Sequence, residues 1–273
     1  MASRQIKALG AKYNISYEII GDGADIVFLH GWGAKKEIMK KAFGAHLDGY
    51  RLIFIDLPGF GASSINKPLN TRSYAKIIKA FLDDIKAKPL CTIGHSFGGK
   101  IGALLNPPFL VLLSSAGIIN KKPFLTRLKI AIFKCFKALG FGRFYRLFAS
   151  KDVAGMSQTM YETLKNVVNE NYESVFKDCK SKSIIFWGQD DKTTPLKNGE
   201  KIAKLMPNTL DFIPFSGDHF FFLAHGDKIA HIIKSYLQNQ CFNEMLERLD
   251  DENLNKIDEM LANTDNLNKE GLK

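Results

Sequence analysis

Strand-like runs that are apolar on both faces recur along this chain and alternate with segments of helical periodicity. The predicted strands lie at 13–20, 24–31, 50–59, 89–96, 108–117, 182–191 and 209–217. Helix-period segments between them lie at 36–47, 72–87 and 198–206. Because strands that are buried on both faces need helices on each side, the pattern predicts an α/β fold with a mostly parallel central sheet.

One interval between predicted strands, from residue 118 to residue 180, is long and reads as helices. Its apolar positions on one helix face are Leu125, Leu128, Ile132, Phe136 and Leu139. We therefore predict a core formed by residues 1–117 and 181–237, with residues 118–180 inserted as a helical cap. Residues 238–273 also space apolar side chains at helical intervals, which predicts an acidic helical extension. This extension is either a helix that docks or binds a partner, and can support an oligomer, or it is a frayed tail.

The length and hydropathy of the chain limit its class. With 273 residues and 45% hydrophobic side chains, it can bury one large core, whereas two equal domains are not expected. No apolar stretch approaches the roughly 20 residues that span a bilayer, and no apolar run follows the first residues. These features predict a soluble, cytoplasmic protein.

The net charge of +10 is distributed unevenly. From Leu237 onward there are nine acidic and four basic residues, a balance of −5, so the remainder carries +15. Residues 121–151 hold nine lysines and arginines and no acidic residue. This basic segment is either a solvated helix face or a docking surface for an acidic acyl carrier protein or an anionic membrane surface. Nucleic acid is not an expected partner, because no nucleic-acid motif accompanies the charge.

The cysteines do not form a recognisable pattern. Cys91, Cys135, Cys179 and Cys241 are widely separated, with no C-x-x-C pair and no histidine at ligand spacing. Neither a metal site nor a disulfide framework is expected. We predict no cofactor.

The sequence GHSFG places Gly94, Ser96 and Gly98 on alternate positions between a predicted strand and a predicted helix. An isolated G-x-S-x-G is weak evidence, since glycine and serine are ordinary turn residues. At a strand-to-helix junction, however, the pattern is typical of a nucleophile elbow, a tight turn that exposes the serine hydroxyl. Glycine is needed on either side because a side chain would collide with the neighbouring strand or helix.

An activated serine needs a base, a group that orients the base, and donors for the oxyanion. The strand at 182–191 ends in two candidate acids, Asp190 and Asp191. The next strand is followed by Gly217, Asp218 and His219. The candidates therefore follow the chain order Ser, Asp, His, which is the order of α/β-hydrolases.

Five motifs in order resemble the α/β-hydrolase fold superfamily over residues 12–237. They are HGWG at 30–33, DLPGFGAS at 56–63, GHSFGG at 94–99, WGQDDKTTP at 187–195 and GDHFFF at 217–222. In the G-x-x-D-x-x-x-P pattern of this family the acid is the fourth residue, which corresponds to Asp191, and Asp190 is a solvated neighbour. The resemblance implies that His219 is the base, although this chain reads G-D-H where the family usually has G-H.

The resemblance also assigns the remaining roles. The backbone N–H groups of Trp32 and Phe97 correspond to the oxyanion donors, and the Trp32 side chain to a wall of the acyl pocket. His30, Asp56 and Gly61 match positions that hold loops together in the family. His95, beside Ser96, is expected to be a packing residue of the elbow. His225 and His231 are alternatives to His219 as the base, and both are expected at the surface.

A serine at position 96 favours acyl transfer to water, whereas relatives that open epoxides or displace halide have an aspartate there. The leading hypothesis is hydrolysis of a carboxylic ester or thioester of a small molecule. C–C hydrolysis of a meta-cleavage product is an alternative, because such relatives share the triad. LHGWG with DLPGFG also resembles pimeloyl-carrier-protein methyl ester esterases. A non-catalytic binding protein with the same fold is the alternative from a different class.

Overall fold

A computed structural model of the chain describes residues 2–119 and 156–239. The chain divides into two units, Met1–Gly226 and Asp227–Lys273. The predictions for the basic segment at 121–151, and for nearly all of the acidic extension, fall outside the described residues.

Eight strands form one sheet in the first unit, in the order β1-β2-β4-β3-β5-β6-β7-β8. Their bounds are β1 Ala2–Ala8, β2 Ala11–Ile20, β3 Ala24–Leu29, β4 Tyr50–Ile55, β5 Pro89–His95, β6 Phe109–Leu113, β7 Lys182–Gly188 and β8 Thr209–Phe215. Strands β3 to β8 are parallel, while β2 is antiparallel to both β1 and β4. The predicted α/β fold with a mostly parallel sheet is confirmed.

Strand β1 was not among the predicted strands. It is an edge strand with one buried side chain, Ile6, and it pairs with β2 along its whole length. An edge ribbon needs little apolar surface because backbone hydrogen bonds to its neighbour hold it in place. Its mostly polar sequence therefore lacks the signal by which the other strands are recognised.

Helices in the first unit follow the strands in alternation. They are α1 Lys36–Phe43, α2 Thr71–Asp84, α3 Phe97–Leu105, α4 Gln158–Val168, α5 Glu173–Asp178 and α6 Leu196–Leu205. Helices α4 and α5 lie in the segment that was expected to form the cap. In the second unit residues 227–239 are helical.

The two faces of the sheet bury different side chains of the same strands. Val27 of β3 belongs to a core cluster with residues of α2 and α3. Its neighbour Phe28 points to the opposite face and stacks on Phe43 of α1 and Phe54 of β4, with ring centroids 5.7 and 4.4 Å apart. Burial on both faces explains why these strands lack the polar alternation of a half-exposed sheet.

Candidate active site

The turn that carries Ser96 joins β5 to α3 at the carboxyl edge of the sheet. Ser96 has φ +50° and ψ −110°, a conformation that costs a non-glycine residue free energy and is found at functional turns. Three backbone hydrogen bonds hold it there: its N–H donates to Leu113, and its carbonyl accepts from Gly99 and Ala116. The strained turn is thereby fixed, and Ser96 remains partly exposed.

The flanking glycines are required by close backbone contacts. A Cβ at Gly94 would lie 2.6 Å from the carbonyl oxygen of Gly98. A Cβ at Gly98 would overlap the carbonyl oxygen of Leu29 and lie 2.9 Å from that of His30. The turn can therefore pack between β3 and α3 only because both positions lack a side chain.

Asp191 and His219 lie together at the same edge, after β7 and β8. The distance between His219 Nδ1 and Asp191 Oδ2 is 2.7 Å. Because a carboxylate only accepts, Nδ1 carries the hydrogen, and the bond leaves Nε2 as the nitrogen that is free to accept a proton. The side chain of Asp191 is fully buried and that of His219 is 11% exposed.

The Asp191 carboxylate is surrounded by donors. Oδ1 accepts from the backbone N–H groups of Thr193 and Thr194, both at 2.8 Å, and Oδ2 also accepts from the Thr194 hydroxyl at 2.7 Å. Burial opposes ionisation, but the bonds from His219 and Thr194 outweigh it and lower the pKa of Asp191. The group therefore stays ionised.

The competing candidates lie elsewhere. Asp190 is exposed, and its backbone N–H bonds to Gly217. His225 contacts Ser216 through its Nε2 atom, and His231 is exposed. Within the described residues of the first unit, neither Asp190 nor His225 hydrogen-bonds to His219 or Asp191.

The HGWG loop lies directly against the serine. A Cβ at Gly31 would lie 3.2 Å from the Cβ of Ser96. None of the hydrogen bonds among residues 2–119 and 156–239 uses the backbone N–H of Trp32 or of Phe97. Two unused donors thus belong to the residues that flank the hydroxyl, one on the adjoining loop and one at the start of α3.

His30 fixes the peptide that carries the Trp32 donor. Its Nε2 accepts from the backbone N–H of Leu57 at 3.0 Å, so its Nδ1 bears the hydrogen and donates to the carbonyl of Gly31 at 2.8 Å. Burial lowers the pKa of His30 to about 4, which keeps the ring neutral. Because the N–H and C=O of one trans peptide point in opposite directions, the Trp32 N–H faces away from His30.

Asp56 and Gly61 support the adjoining loop. Asp56 is buried against the ammonium of Lys36 at 2.8 Å and also accepts from the backbone N–H groups of Lys36 and Ala62. A Cβ at Gly61 would overlap the Asp56 carboxylate. Lys36 is itself buried, and its role was not apparent from the sequence because it lies among ordinary helix residues.

Aromatic and apolar side chains surround the loop beside Ser96. The Trp32 ring meets Phe60 and Phe97 edge-on, at 4.9 and 5.6 Å, and Phe97 meets Tyr74 at 5.0 Å. Met160 of α4 packs against Gly59, where a Cβ would overlap its sulfur atom. Met160 was missed in the sequence because its segment shows only helical periodicity.

Lys100 is a third feature that the sequence did not reveal. Lys100 lies in the first turn of α3, and its ammonium group is buried. The ammonium donates to Glu170 Oε2 and to the carbonyl of Val167, both at 2.8 Å, and lies 4.4 Å from the centre of the Tyr172 ring. Burial lowers the pKa of Lys100, and the bond to Glu170 partly offsets it. Glu170 also accepts from Thr71, so these contacts join the end of α4 to the core.

Among residues 2–119 and 156–239, no cluster of histidine, cysteine and acidic side chains has the composition of a metal site. Cys91 and Cys179 are buried free thiols, and the other two cysteines lie outside the described part of the chain. None of the described helices combines the length and apolar character that a membrane span requires.

Comparisons with known proteins agree with this geometry. A family model for the alpha/beta hydrolase fold matches residues 26–106. The chain is 21% identical to a pimeloyl-[acyl-carrier protein] methyl ester esterase of Vibrio parahaemolyticus, over 83% of this chain and 99% of that protein. It is 23% identical to a 2-hydroxy-6-oxononadienedioate/2-hydroxy-6-oxononatrienedioate hydrolase of Comamonas testosteroni, over 84% and 93%.

Solved structures show the same fold. An esterase from Exiguobacterium antarcticum superposes with a TM-score of 0.69 at 21% identity, covering 87% of this chain and 100% of that one. A meta-cleavage product hydrolase from Pseudomonas fluorescens superposes with a TM-score of 0.64 at 18% identity, over 87% and 98%. The family model, the curated relatives and the solved structures all indicate an enzyme of the α/β-hydrolase superfamily.

Proposed function

We propose that this enzyme hydrolyses a carboxylic ester or thioester, with Ser96 as nucleophile, His219 as general base and Asp191 as the residue that orients His219. The observation that carries the proposal is the 2.7 Å bond between His219 and Asp191 at the sheet edge where Ser96 occupies its strained turn. Serine, histidine and aspartate in these relations perform acyl transfer on several folds.

In the first half-reaction Ser96 Oγ attacks the substrate carbonyl and its proton passes to His219 Nε2. The oxygen becomes an oxyanion that the Trp32 and Phe97 N–H groups stabilise, each by about 3 kcal/mol in comparable sites. Collapse breaks the bond to the leaving group, which takes the proton from His219. The acyl group remains on Ser96.

Water completes the reaction. It gives a proton to His219 as its oxygen attacks the acyl-enzyme, and collapse of the second oxyanion releases the carboxylic acid and returns the proton to Ser96. Asp191 keeps the hydrogen on Nδ1 throughout and stabilises the imidazolium. No cofactor enters either half-reaction.

Turnover of p-nitrophenyl esters of graded chain length tests the proposal, with Ser96→Ala as the inactive control. A fluorophosphonate that reacts with activated serines should label the wild type and spare the variant. Labelling that persists in Ser96→Ala would remove Ser96 from the role. Wild-type protein that neither turns over nor labels would instead favour a non-catalytic binding protein.

C–C hydrolysis is the second candidate, and the observation in its favour is the similarity to the Comamonas testosteroni hydrolase and the Pseudomonas fluorescens structure. A dienoate meta-cleavage substrate in the same screen separates the two reactions. Faster turnover of the dienoate than of every ester would replace the leading proposal.

An acyl carrier protein is the partner we propose, docking on a cap formed by residues 118–180. The basic segment at 121–151 and the similarity to carrier-protein esterases support this proposal. Because exposed charges are screened over about 8 Å at physiological salt, added salt should weaken turnover of a carrier-bound acyl ester but leave a p-nitrophenyl ester unaffected. Equal salt responses would contradict docking through charge. Binding to anionic vesicles would instead identify a membrane surface as the partner.

A cytoplasmic location and an oligomer formed through residues 238–273 stay predictions.

A further inference from the structure

His95, the residue before the nucleophile, is bonded to the loop that carries the general base. Its Nε2 lies 2.9 Å from the main-chain carbonyl oxygen of His219, although 124 positions separate the two residues. The His95 ring is buried, lies 4.7 Å from the His219 ring, and is enclosed by Phe220 and Phe222 at 5.3 and 4.7 Å. The sequence had suggested only a packing residue of the elbow.

The partner atoms fix the tautomer of His95. A carbonyl oxygen only accepts, so Nε2 carries the hydrogen and donates it. Burial lowers the pKa of His95 to about 3, and the ring is therefore neutral. Nδ1 then carries a buried lone pair, and within residues 2–119 and 156–239 it has no hydrogen-bond partner.

The unpartnered nitrogen shows that filling space is not the whole role of His95. Nδ1 faces Gly31, where a Cβ would lie only 2.8 Å away. A phenylalanine ring in the same aromatic surroundings would have no unpaired ring nitrogen, and an unpaired buried acceptor is a defect that proteins generally avoid. What histidine adds at this position is the donor at Nε2 that holds the His219 carbonyl.

The hydrogen bond from His95 constrains His219 at a second point, in addition to the bond from Asp191. Asp191 holds the His219 ring through Nδ1, and His95 holds its main chain. Because Ser96 directly follows His95, the same strand end sets the position of the nucleophile and of the main chain behind the base. A shift of the loop after β8 would move Nε2 of His219 relative to Ser96 even with the Asp191 bond intact.

We propose that His95 is a positioning residue of the hydrolytic reaction, whose Nε2–H group holds the main chain of His219 so that the imidazole is presented to Ser96. This proposal rests on the proposed function. It adds to Ser96, His219 and Asp191 a residue that contacts none of the reacting atoms.

Three variants separate the donor from the ring. His95→Phe fills the aromatic surroundings without a donor, His95→Gln carries an amide N–H at about the reach of Nε2, and His95→Asn carries it too short. At metal sites, loss of a partner that orients a ligand side chain lowers affinity or activity by about 10- to 100-fold, and His95 orients His219 in a comparable way. We expect a kcat loss of that size for His95→Phe and His95→Asn with KM nearly unchanged, and recovery to within about fivefold of wild type for His95→Gln.

A second readout does not depend on turnover. The Nδ1–H proton of His219, bonded to a carboxylate, should give a far-downfield proton NMR signal that shifts or broadens in His95→Phe and returns in His95→Gln. If His95→Phe does not fold, the comparison of His95→Asn with His95→Gln decides. Wild-type kcat and an unchanged signal in His95→Phe and His95→Asn, or equal losses in His95→Asn and His95→Gln, would overturn the role of His95. Failure of the proposed function is distinct, since Ser96→Ala would then retain activity whatever the His95 variants do.

Discussion

Gly98 packs so tightly against the end of β3 that a Cβ on it would overlap the carbonyl oxygen of Leu29. This relationship sets the position of α3 and hence of the Phe97 N–H, because Gly98 lies in the first turn of that helix. The nucleophile turn and the HGWG loop are thereby brought into contact. The glycine after the serine is thus a condition for forming the proposed oxyanion site.

Gly98→Ala is therefore expected to displace α3 and lower kcat for a p-nitrophenyl ester by about 100-fold or more, as misplacements near 1 Å do. Gly10→Ala is the matched control. Gly10 has φ +72° but nothing within 4 Å of a Cβ, so it should lose about 1 kcal/mol of stability and no activity. Wild-type kcat in Gly98→Ala would contradict the close contact.

The identity of the acid is tested by exchanging adjacent aspartates. Asp191→Asn removes the carboxylate that holds the Nδ1–H of His219, and kcat should fall roughly 10⁴-fold, as in other triads. Asp190→Asn changes an exposed side chain and should leave kcat within about twofold, since surface substitutions have small effects. Steady-state kinetics on one ester decides between them. A large loss of kcat in Asp190→Asn would instead identify Asp190 as the acid.

Acid should destabilise the fold through its two buried neutral histidines. The folded-state pKa is about 4 for His30 and about 3 for His95, against 6.5 for the free side chain. Below pH 6.5 the unfolded chain therefore binds protons that the folded chain does not. The free energy of unfolding should fall as pH falls toward 4, by up to about 1.4 kcal/mol per pH unit for each histidine.

Urea unfolding at pH 7, 6 and 5 measures this dependence. His95→Gln should make the slope against pH shallower by about one proton. An unchanged slope in His95→Gln would show that His95 is not held neutral in the folded protein.

Lys100 is buried and pairs with the part-buried Glu170, and disruption of this pair should cost stability. Lys100→Met leaves the Glu170 carboxylate without its cation and should lower the free energy of unfolding by about 3 kcal/mol. The double variant Lys100→Met/Glu170→Gln should lose less than the sum of the two single losses. Additive losses would contradict coupling between the two side chains.

The exposed pair Lys79 and Asp83 provides a matched comparison. Both side chains are more than half exposed and lie at i and i+4 on α2. Water already solvates both charges, so Lys79→Met should cost less than about 1 kcal/mol. Urea denaturation of both lysine variants under one condition measures the difference.

The sequence by itself determined the parallel strands of the sheet and the order of the candidate site residues along the chain. Runs such as ADIVFL and FLVLL are apolar on both faces, and only a covered parallel sheet buries both. The spacing Gly94, Ser96, Gly98 predicted the elbow because backbone contacts there exclude side chains. These features are local in the chain, and a pattern of residue types records them.

Tertiary structure alone decided which polar groups face one another. The bond from His95 to His219 and the bond from Lys100 to Glu170 join residues that come together only when strands and helices pack. A short-range sequence pattern carries no trace of such pairings, because a buried lysine or histidine has the same letter as an exposed one. Its partner, and with it its charge state, exists only after the sheet has formed.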